Sequence, residues 1–574
     1  MVIYQWQLKP KIKADFVKKI PQHPAVILQL TANRGLTETD QIEKFFKPTA
    51  ANNLLNPFIF KSMKSATDLI IKHLKAGSPI VVYGDYDADG VTASVLLAEV
   101  LAFFKAKVSV YLPDRITEGY GLNKPAIKKL AERGAKLIIT VDNGIRNKEE
   151  VEYAKNLGLA LIITDHHQPP KQKNDWPDCL IIDPLVDQLN SDLAGVGVAF
   201  KLAKALISRA KLNHEAKEKL EKKVLDLVAI GTVADCVSLL GENRTLVYDG
   251  LEVANQQKRL GLAELIKVAQ LNPQKPINSW NIAWQIAPRL NSAGRLDHAN
   301  TAFELLISKN RDQAADLAKK LNEKNQKRQK LTEQIFAECQ KKVEEEMLDE
   351  KILILFSPNI ISQTEGSWTE GVIGLVAGRL VEKYSRPAIL LTKIDKQIKG
   401  SARSIAEFDI TACLEQVKKY LSRYGGHAAA AGFTLKTSAD LTDFIKEIKI
   451  LAKSCLTGVD LSPKLMIEAE VEFSQIDEDL VEKIYQFEPF GQDNPRPRLV
   501  SRNLTIADKI IMGDEGQHLK FRLGRLWAVG FGQAENWSSL KIGEQIDLVY
   551  FLEFNDYDGR REVQLKIIDL KKVD

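Results

Sequence analysis

The chain has 574 residues, room for about three to five domains of ordinary size, and its 45% hydrophobic and 27% charged content excludes a disordered, collagen-like or supercharged polypeptide. Basic side chains number 80 and acidic ones 75, a formal charge of +5, so a polyanionic ligand has to be held by a local patch and not by a general field. Five scattered cysteines with no C-x-x-C pair, an opening stretch without an apolar signal core, and no uncharged run of bilayer length point to a reducing, cytoplasmic setting without a membrane span.

Residues 1–50 form an N-terminal helical segment, with TETDQIEKFF as a short helix. In 51–255 short β-rich runs alternate with helical ones: Pro79–Tyr83, Val108–Leu112, Leu137–Val141, Leu161–Thr164 and Leu180–Ile182. Several lack polar interruption, as in strands covered on both faces. Between the third and fourth lies one crossover helix, with Asn147 at its start, acids in its first turn and Gly158 at its end. The pattern predicts an α/β domain on a parallel sheet. Residues 256–350 form a helical connector. Thr301 to Glu350 contains neither Pro nor Gly and reads as one helix of about 70 Å. Leu331, Ile335, Cys339, Val343 and Met347 recur every fourth residue and give it a single buried stripe. KKLNEKNQKRQK (319–330) reads as a solvated helix face.

A second, smaller α/β domain occupies 351–455, with KILILF, PAILLT and a Gly-rich turn, RYGGHAAAAGF. Residues 462–574 turn all-β, five or six short strands with a D-G turn at 558–559, which predicts an OB-type barrel. Alternating Lys, Arg and aromatic residues there suit single-stranded nucleic acid; an aromatic core explains Trp527 and Phe531 equally well.

The chemistry lies at element ends. PIVVY runs into Asp85, Asp87 and Asp89, LIITV into Asp142, and LIIT into Asp165-His166-His167, while Asp235 stands in the apolar run VLDLVAIGTVADCVSL. Open parallel sheets place ligands at the C-terminal ends of their strands. Carboxylates converging in one crevice cannot all stay ionised without a cation, and Asp with imidazole but no thiolate suits Mn²⁺ or Mg²⁺. Five or six such groups suit two ions sharing a carboxylate, an arrangement that hydrolyses phosphoesters. An EF-hand is excluded because Leu96 stands six residues after Gly90, where a Glu is needed.

DYDADG, TVDNG, DHH and VADCVSL resemble the four motifs of the DHH phosphoesterase superfamily. With EGYGL, AGVGVAF, PRLNSAGR, GSARS, YGGHAAAAGF and PFGQDNP in this order, the chain resembles the superfamily's bacterial RecJ branch from end to end. The resemblance implies a multidomain α/β protein: a parallel-sheet DHH catalytic domain, a long connecting helix, a DHH-associated domain and an OB fold. It implies 5′→3′ hydrolysis of single-stranded DNA to 5′-mononucleotides in repair and recombination. It carries the metal ligands over to Asp85, Asp87, Asp142, His166 and Asp235, holding two Mn²⁺ or Mg²⁺ ions bridged by Asp142. His167 is then the outer or catalytic histidine and Asp89 a helper. Two positions depart: Val81 stands where small-substrate relatives have a histidine, and Asp493 replaces a glycine of the family's G-x-G-N-P run.

A 5′-phosphate asks for fork-shaped Arg donors, here Arg115, Arg289, Arg295 and Arg403, with Ser401 beside the last. The family's 5′-end pocket maps onto these, Ser401 and Arg403 foremost. Gly425, Gly426 and His427 offer a nest of N–H groups, or else a tightly packed helix cap. Arg379 reads as a surface helix residue, and AGVGVAF as helix N-terminal packing near the site, not a dinucleotide fingerprint. A small phosphoester substrate and a non-catalytic strand-binding scaffold are the competing readings; Val81 and the barrel oppose the first, the complete ligand set the second. A helicase and a single-strand-binding protein are the partners such an activity implies.

Overall fold

The structure, a computed structural model, describes residues 4–49, 53–115, 117–296, 298–357, 368–394, 397–557 and 560–573. The D-G turn expected at 558–559 lies outside them. Two compact units result: Trp6–Asn322 with Met466–Asp574, and Met1–Gln5 with Glu323–Leu465.

In the larger unit, β1 (Pro79–Tyr83), β2 (Lys107–Tyr111), β3 (Leu137–Val141), β4 (Ala160–Thr164) and β5 (Leu180–Ile182) form an all-parallel sheet in the order β2-β1-β3-β4-β5. Each strand lies within a residue of its expected position. Successive side chains alternate between two cores. Ile80, Val82, Leu137, Ile139 and Ile162 join the helices Ala88–Phe103, Gly195–Ser208 and Leu225–Ala234 on one face. Val81, Tyr83, Ile138, Leu161 and Ile163 meet the helices Lys124–Glu132 and Lys148–Asn156 on the other. Apolar residues at both parities are what a doubly covered strand requires. The chain steps outward from β1 to β2 and returns to β3 on β1's other side. The loops after β1 and β3 therefore diverge and open a crevice.

The expected barrel is present. Leu499–Met512, His518–Leu523, Leu526–Gly530, Arg560–Lys572 and Gln545–Tyr557 pair in that order, and the last returns to the first, closing five strands. Its core includes Ile27, Leu30 and Phe45 from the N-terminal helices, so residues far apart in the chain share one interior.

In the smaller unit a five-stranded sheet runs Leu421–His427, Ala430–Leu435, Gln397–Arg403, Ala388–Ile394, Leu353–Ser357. RYGGHAAAAGF is a hairpin and not the expected turn: its glycines sit in an antiparallel ladder, with Gly425 opposite Gly432. The connector also differs. Asn300–Ile307 and Arg311–Glu346 are separate helices, the second of 36 residues and about 54 Å. The break needs no Pro or Gly, because Asn310 Oδ1 accepts the Gln313 N–H at 3.0 Å and caps the new helix. The every-fourth stripe holds: Ile335, Cys339 and Val343 are fully buried against Val372, Val376 and Leu380, with Leu331 and Met347 alongside.

Candidate metal centre

β1 ends at Tyr83, and from Gly84 the chain turns sharply into the helix Ala88–Phe103. Asp87 is that helix's N-cap, its Oδ1 accepting from Asp89 N (3.0 Å) and Gly90 N (3.1 Å). Gly90 is obligatory, since a Cβ there would lie 2.6 Å from the Asp85 backbone. Asp85 is buried, and among the described residues its Oδ1 has no hydrogen-bond partner. A buried carboxylate oxygen left unpaired fits a cation absent from the chain itself.

At the end of β3, Asp142 takes a left-handed conformation (φ 64°) and is 2% exposed. Such a backbone is costly for a non-glycine residue and is typical of functional sites. Gly195, at the start of the neighbouring helix, makes room for it: a Cβ there would stand 2.6 Å from Asp142 Oδ1. Thus AGVGVAF packs a helix N-terminus onto the site, as expected. The same N-terminus donates Gly195 N (2.7 Å) and Val196 N (2.9 Å) to the two oxygens of Asp89.

After β4, His166 Nε2 lies 3.1 Å from Asp142 Oδ1, 3.6 Å from Asp235 Oδ2 and 4.0 Å from Asp89 Oδ2. Three sets of donors each fall within 4.8 Å of one another: Asp142, His166 and His167; Asp89, His166 and Asp235; and Asp85, Asp87 and Asp142. The expected metal ligands are thus brought together, with Asp142 and His166 each in two sets. Each oxygen of Asp89 already holds a backbone N–H, and His167 shares its donor set with Asp142 and His166. His167 Nδ1 is 2.8 Å from Asp165 Oδ1 and 3.0 Å from the Tyr120 hydroxyl, which leaves Nε2 for a ligand.

The charges agree with this geometry. Burial, then the charges of Asp89, Asp87 and Asp85, push the Asp142 carboxyl well above its ordinary range. Burial and Asp87 do the same to Asp85. Burial and Asp89 raise Asp235 to about 9, and burial and Asp87 raise Asp89 to about 7. Burial works against Asp165 as well, but the His167 hydrogen bond and charge with the Ile145 N–H hold it below its usual value. A cluster so reluctant to ionise alone, built of oxygen and imidazole donors, suits one or two hard divalent cations.

Asp165, Tyr120 and Asn291 were not assigned roles from the sequence. The Tyr120 hydroxyl donates to Asp142 O (3.1 Å), and Asn291 Oδ1 accepts the Ala88 N–H (2.7 Å) at the metal turn. The D of DHH, EGYGL and PRLNSAGR were the available signals. Trp280 and Trp284, one helical turn apart and 58% and 65% exposed, carried no signal at all.

Of the expected phosphate ligands, the Arg115 guanidinium stacks over Tyr86 at 4.9 Å, next to Asp85. Arg289 is committed to Gln285 O (2.6 Å), one turn back, and to Asn322 Oδ1 (3.0 Å) on the long helix Arg311–Glu346. Arg295 lies on the same helix, close enough to Tyr86 to influence its hydroxyl. In the smaller unit, cross-strand register aligns Ser401 with Gly432 and Gly425, and Arg403 with Ala430 and His427. These positions share one sheet face, where small neighbours leave Ser401 and Arg403 beside Gly374. Gly425, Gly426 and His427 are extended strand residues whose successive N–H groups point to alternate edges, so the nest of converging N–H groups is not formed. Arg379 stacks on Phe336 at 4.3 Å, a packing contact. In the barrel, Trp527 is half-buried beneath Lys520 (4.5 Å) and Arg522 (5.4 Å), and Phe531 is 54% exposed, so neither is core.

Comparison with known proteins gives a consistent picture. Residues 79–232 match the DHH family N-terminal domain, 357–454 the DHHA1 domain and 467–569 the RecJ OB domain. The chain is 35% identical over 579 residues to the single-stranded-DNA-specific exonuclease RecJ of Bacillus subtilis, spanning 98% of this chain and 70% of that one. It is 30% identical to the Escherichia coli protein of the same name over 95% of both. The crystal structure of RecJ in complex with Mn²⁺ from Thermus thermophilus superposes with a TM-score of 0.83 at 26% identity, covering all of this chain and 80% of that one. The Mg²⁺ complex gives 0.77 at 25%, with 100% and 79% covered.

Proposed function

The chain belongs to the RecJ family, and from that premise we propose that it is a metal-dependent exonuclease degrading single-stranded DNA from the 5′ end to 5′-mononucleotides, in DNA repair and recombination. The convergence of Asp85, Asp87, Asp142, His166 and Asp235 supports this reading most directly. These residues would hold two Mn²⁺ or Mg²⁺ ions, which would supply activation of a water and neutralisation of the departing 3′-oxygen. The chain's own contribution is placement. The Asp87 cap and Gly195 fix the carboxylates, and Asp165 orients His167 so that Nε2 faces the scissile phosphate.

Ser401 and Arg403 receive the terminal 5′-phosphate on the flat sheet face they share with Gly425 and His427, and Arg115 and Arg295 add positive charge near the metal turn. Arg289, tied to Gln285 and Asn322, steadies the helix that carries Arg295. Lys520, Arg522 and Trp527 on the barrel, with Phe531, offer cations and ring faces to the single strand. A helicase that exposes the strand and a single-strand-binding protein are the partner classes this activity calls for, in the cytoplasm. Digestion of 5′- and 3′-labelled single and double strands with Mn²⁺, Mg²⁺ or chelator tests polarity, strand preference and metal dependence together. Mononucleotides released from the 3′ end, or turnover in chelator, would refute the proposal.

A further inference from the structure

Asp235 differs from the other ligands in that no strand end holds it. It is the C-cap of the helix Leu225–Ala234 and is followed by Cys236 in a left-handed conformation (φ 60°), so the chain leaves the ligand through an irregular loop, 236–240. What fixes that loop fixes Asp235. On one side the Asn243 side chain donates to Ser238 O (2.9 Å) and Asp192 O (2.7 Å). On the other the Leu239 N–H donates to Gln492 O at 2.9 Å. Gln492 lies in the PFGQDNP turn that feeds the barrel's first strand, Leu499–Met512.

This turn is rigidly built. Gly491 and Asn494 exchange backbone hydrogen bonds (2.9 and 3.2 Å). The fully buried Asn494 amide donates to Phe487 O and Pro489 O, and its Oδ1 accepts from the buried Arg34 at 2.6 Å. Gly491 presses directly on Leu239, which is 2% exposed: a Cβ on Gly491 would lie 2.5 Å from Leu239 Cδ1 and 3.0 Å from Cγ. The same turn borders a cavity of about 500 Å³, lined by Leu240, Gly491, Gln492 and Asp493 with Lys9 and Arg498.

We propose that the Phe490–Pro495 turn is a positioning element for Asp235, through which the segment feeding the barrel sets the affinity of the cation held by His166 and Asp235, and not of the one held by Asp85, Asp87 and Asp142. The inference rests on the two-cation reading above. Residues that orient a metal ligand from behind typically change affinity by about 10–100-fold.

Mn²⁺ titration of the full chain, followed by electron paramagnetic resonance, reads both sites without turnover. In Gly491→Ala one of two Mn²⁺ ions should bind about tenfold more weakly while the other binds as in the parent chain. Leu239→Ala, which removes the side chain the glycine presses on, should do the same and serves if Gly491→Ala does not fold. Circular dichroism and melting establish that the variants are folded. Folded variants that bind both ions like the parent, or that weaken both equally, overturn the proposal. A parent chain that binds no Mn²⁺ overturns the two-cation reading instead.

Discussion

Asp142 carries the heaviest burden of any single side chain: it belongs to two donor sets, lies in a left-handed conformation and abuts Gly195. Asp142→Ala should reduce hydrolysis of single-stranded DNA by at least about 1,000-fold while leaving strand binding largely intact, because both donor sets that contain Asp142 lose a ligand atom. Gel-shift and nuclease assays on the same preparation decide this; wild-type-like rates would refute the assignment. Asp165→Asn should lower kcat by roughly 10–100-fold with little change in Mn²⁺ affinity, since it frees the His167 ring without removing a ligand. The raised carboxyls also set a pH dependence. In metal-free protein they hold protons that the unfolded chain has released. They therefore add stability that is complete below about pH 4 and is lost as pH rises through their folded values, about 7 for Asp89 and about 9 for Asp235. Mn²⁺ removes the repulsion and displaces those protons. The rise in melting temperature on adding Mn²⁺ should accordingly be larger at about pH 8.5 than at about pH 6, and equal shifts would contradict the electrostatic account. The residues of the donor cluster were legible in the sequence because each stands in a motif at an element end. Asp165, Tyr120 and Asn291 were not, since what they do depends on which backbone or ring they meet after folding.

Elements were read best where one periodicity governs them. β1 to β5 are short apolar runs buried on both faces, and no other structure suits such runs between helices. The connector departs from its expected single helix because Pro and Gly are not the only helix punctuation: Ser308 and Asn310 end one helix and start the next. Asn310→Ala should cost about 1 kcal/mol in urea unfolding, the usual loss for an N-cap. The glycine run of the smaller unit was misread for the converse reason: Gly425 and Gly432 are there to let strands carry Ser401 and Arg403 on a flat face, not to bend the chain. On the helix after Asp235, Arg244 donates to Phe45 O, Phe487 O and Gln486 O and lies 3.8 Å over the Phe45 ring. Arg244→Ala strands two buried carbonyls and a part-buried third and should destabilise by roughly 3–5 kcal/mol in the same assay.

At the scale of the whole molecule, local patterns say which segments are helices or strands but not which of them share an interior. Nothing in TETDQIEKFF announces that Phe45 will close a barrel made by the last hundred or so residues. Arg34, 434 residues before its ion-pair partner Glu468, is anchored there as well. That separation has a temporal consequence. A ribosome adding about 5–20 residues per second takes roughly 20–90 s to synthesise the stretch between them. The helices that carry Leu30 and Phe45 must wait that long, their greasy sides uncovered, for the strands that will receive them. Nascent chains halted before the barrel should therefore engage holdase chaperones through these helices, which reach their native place only after segments made much later than they were.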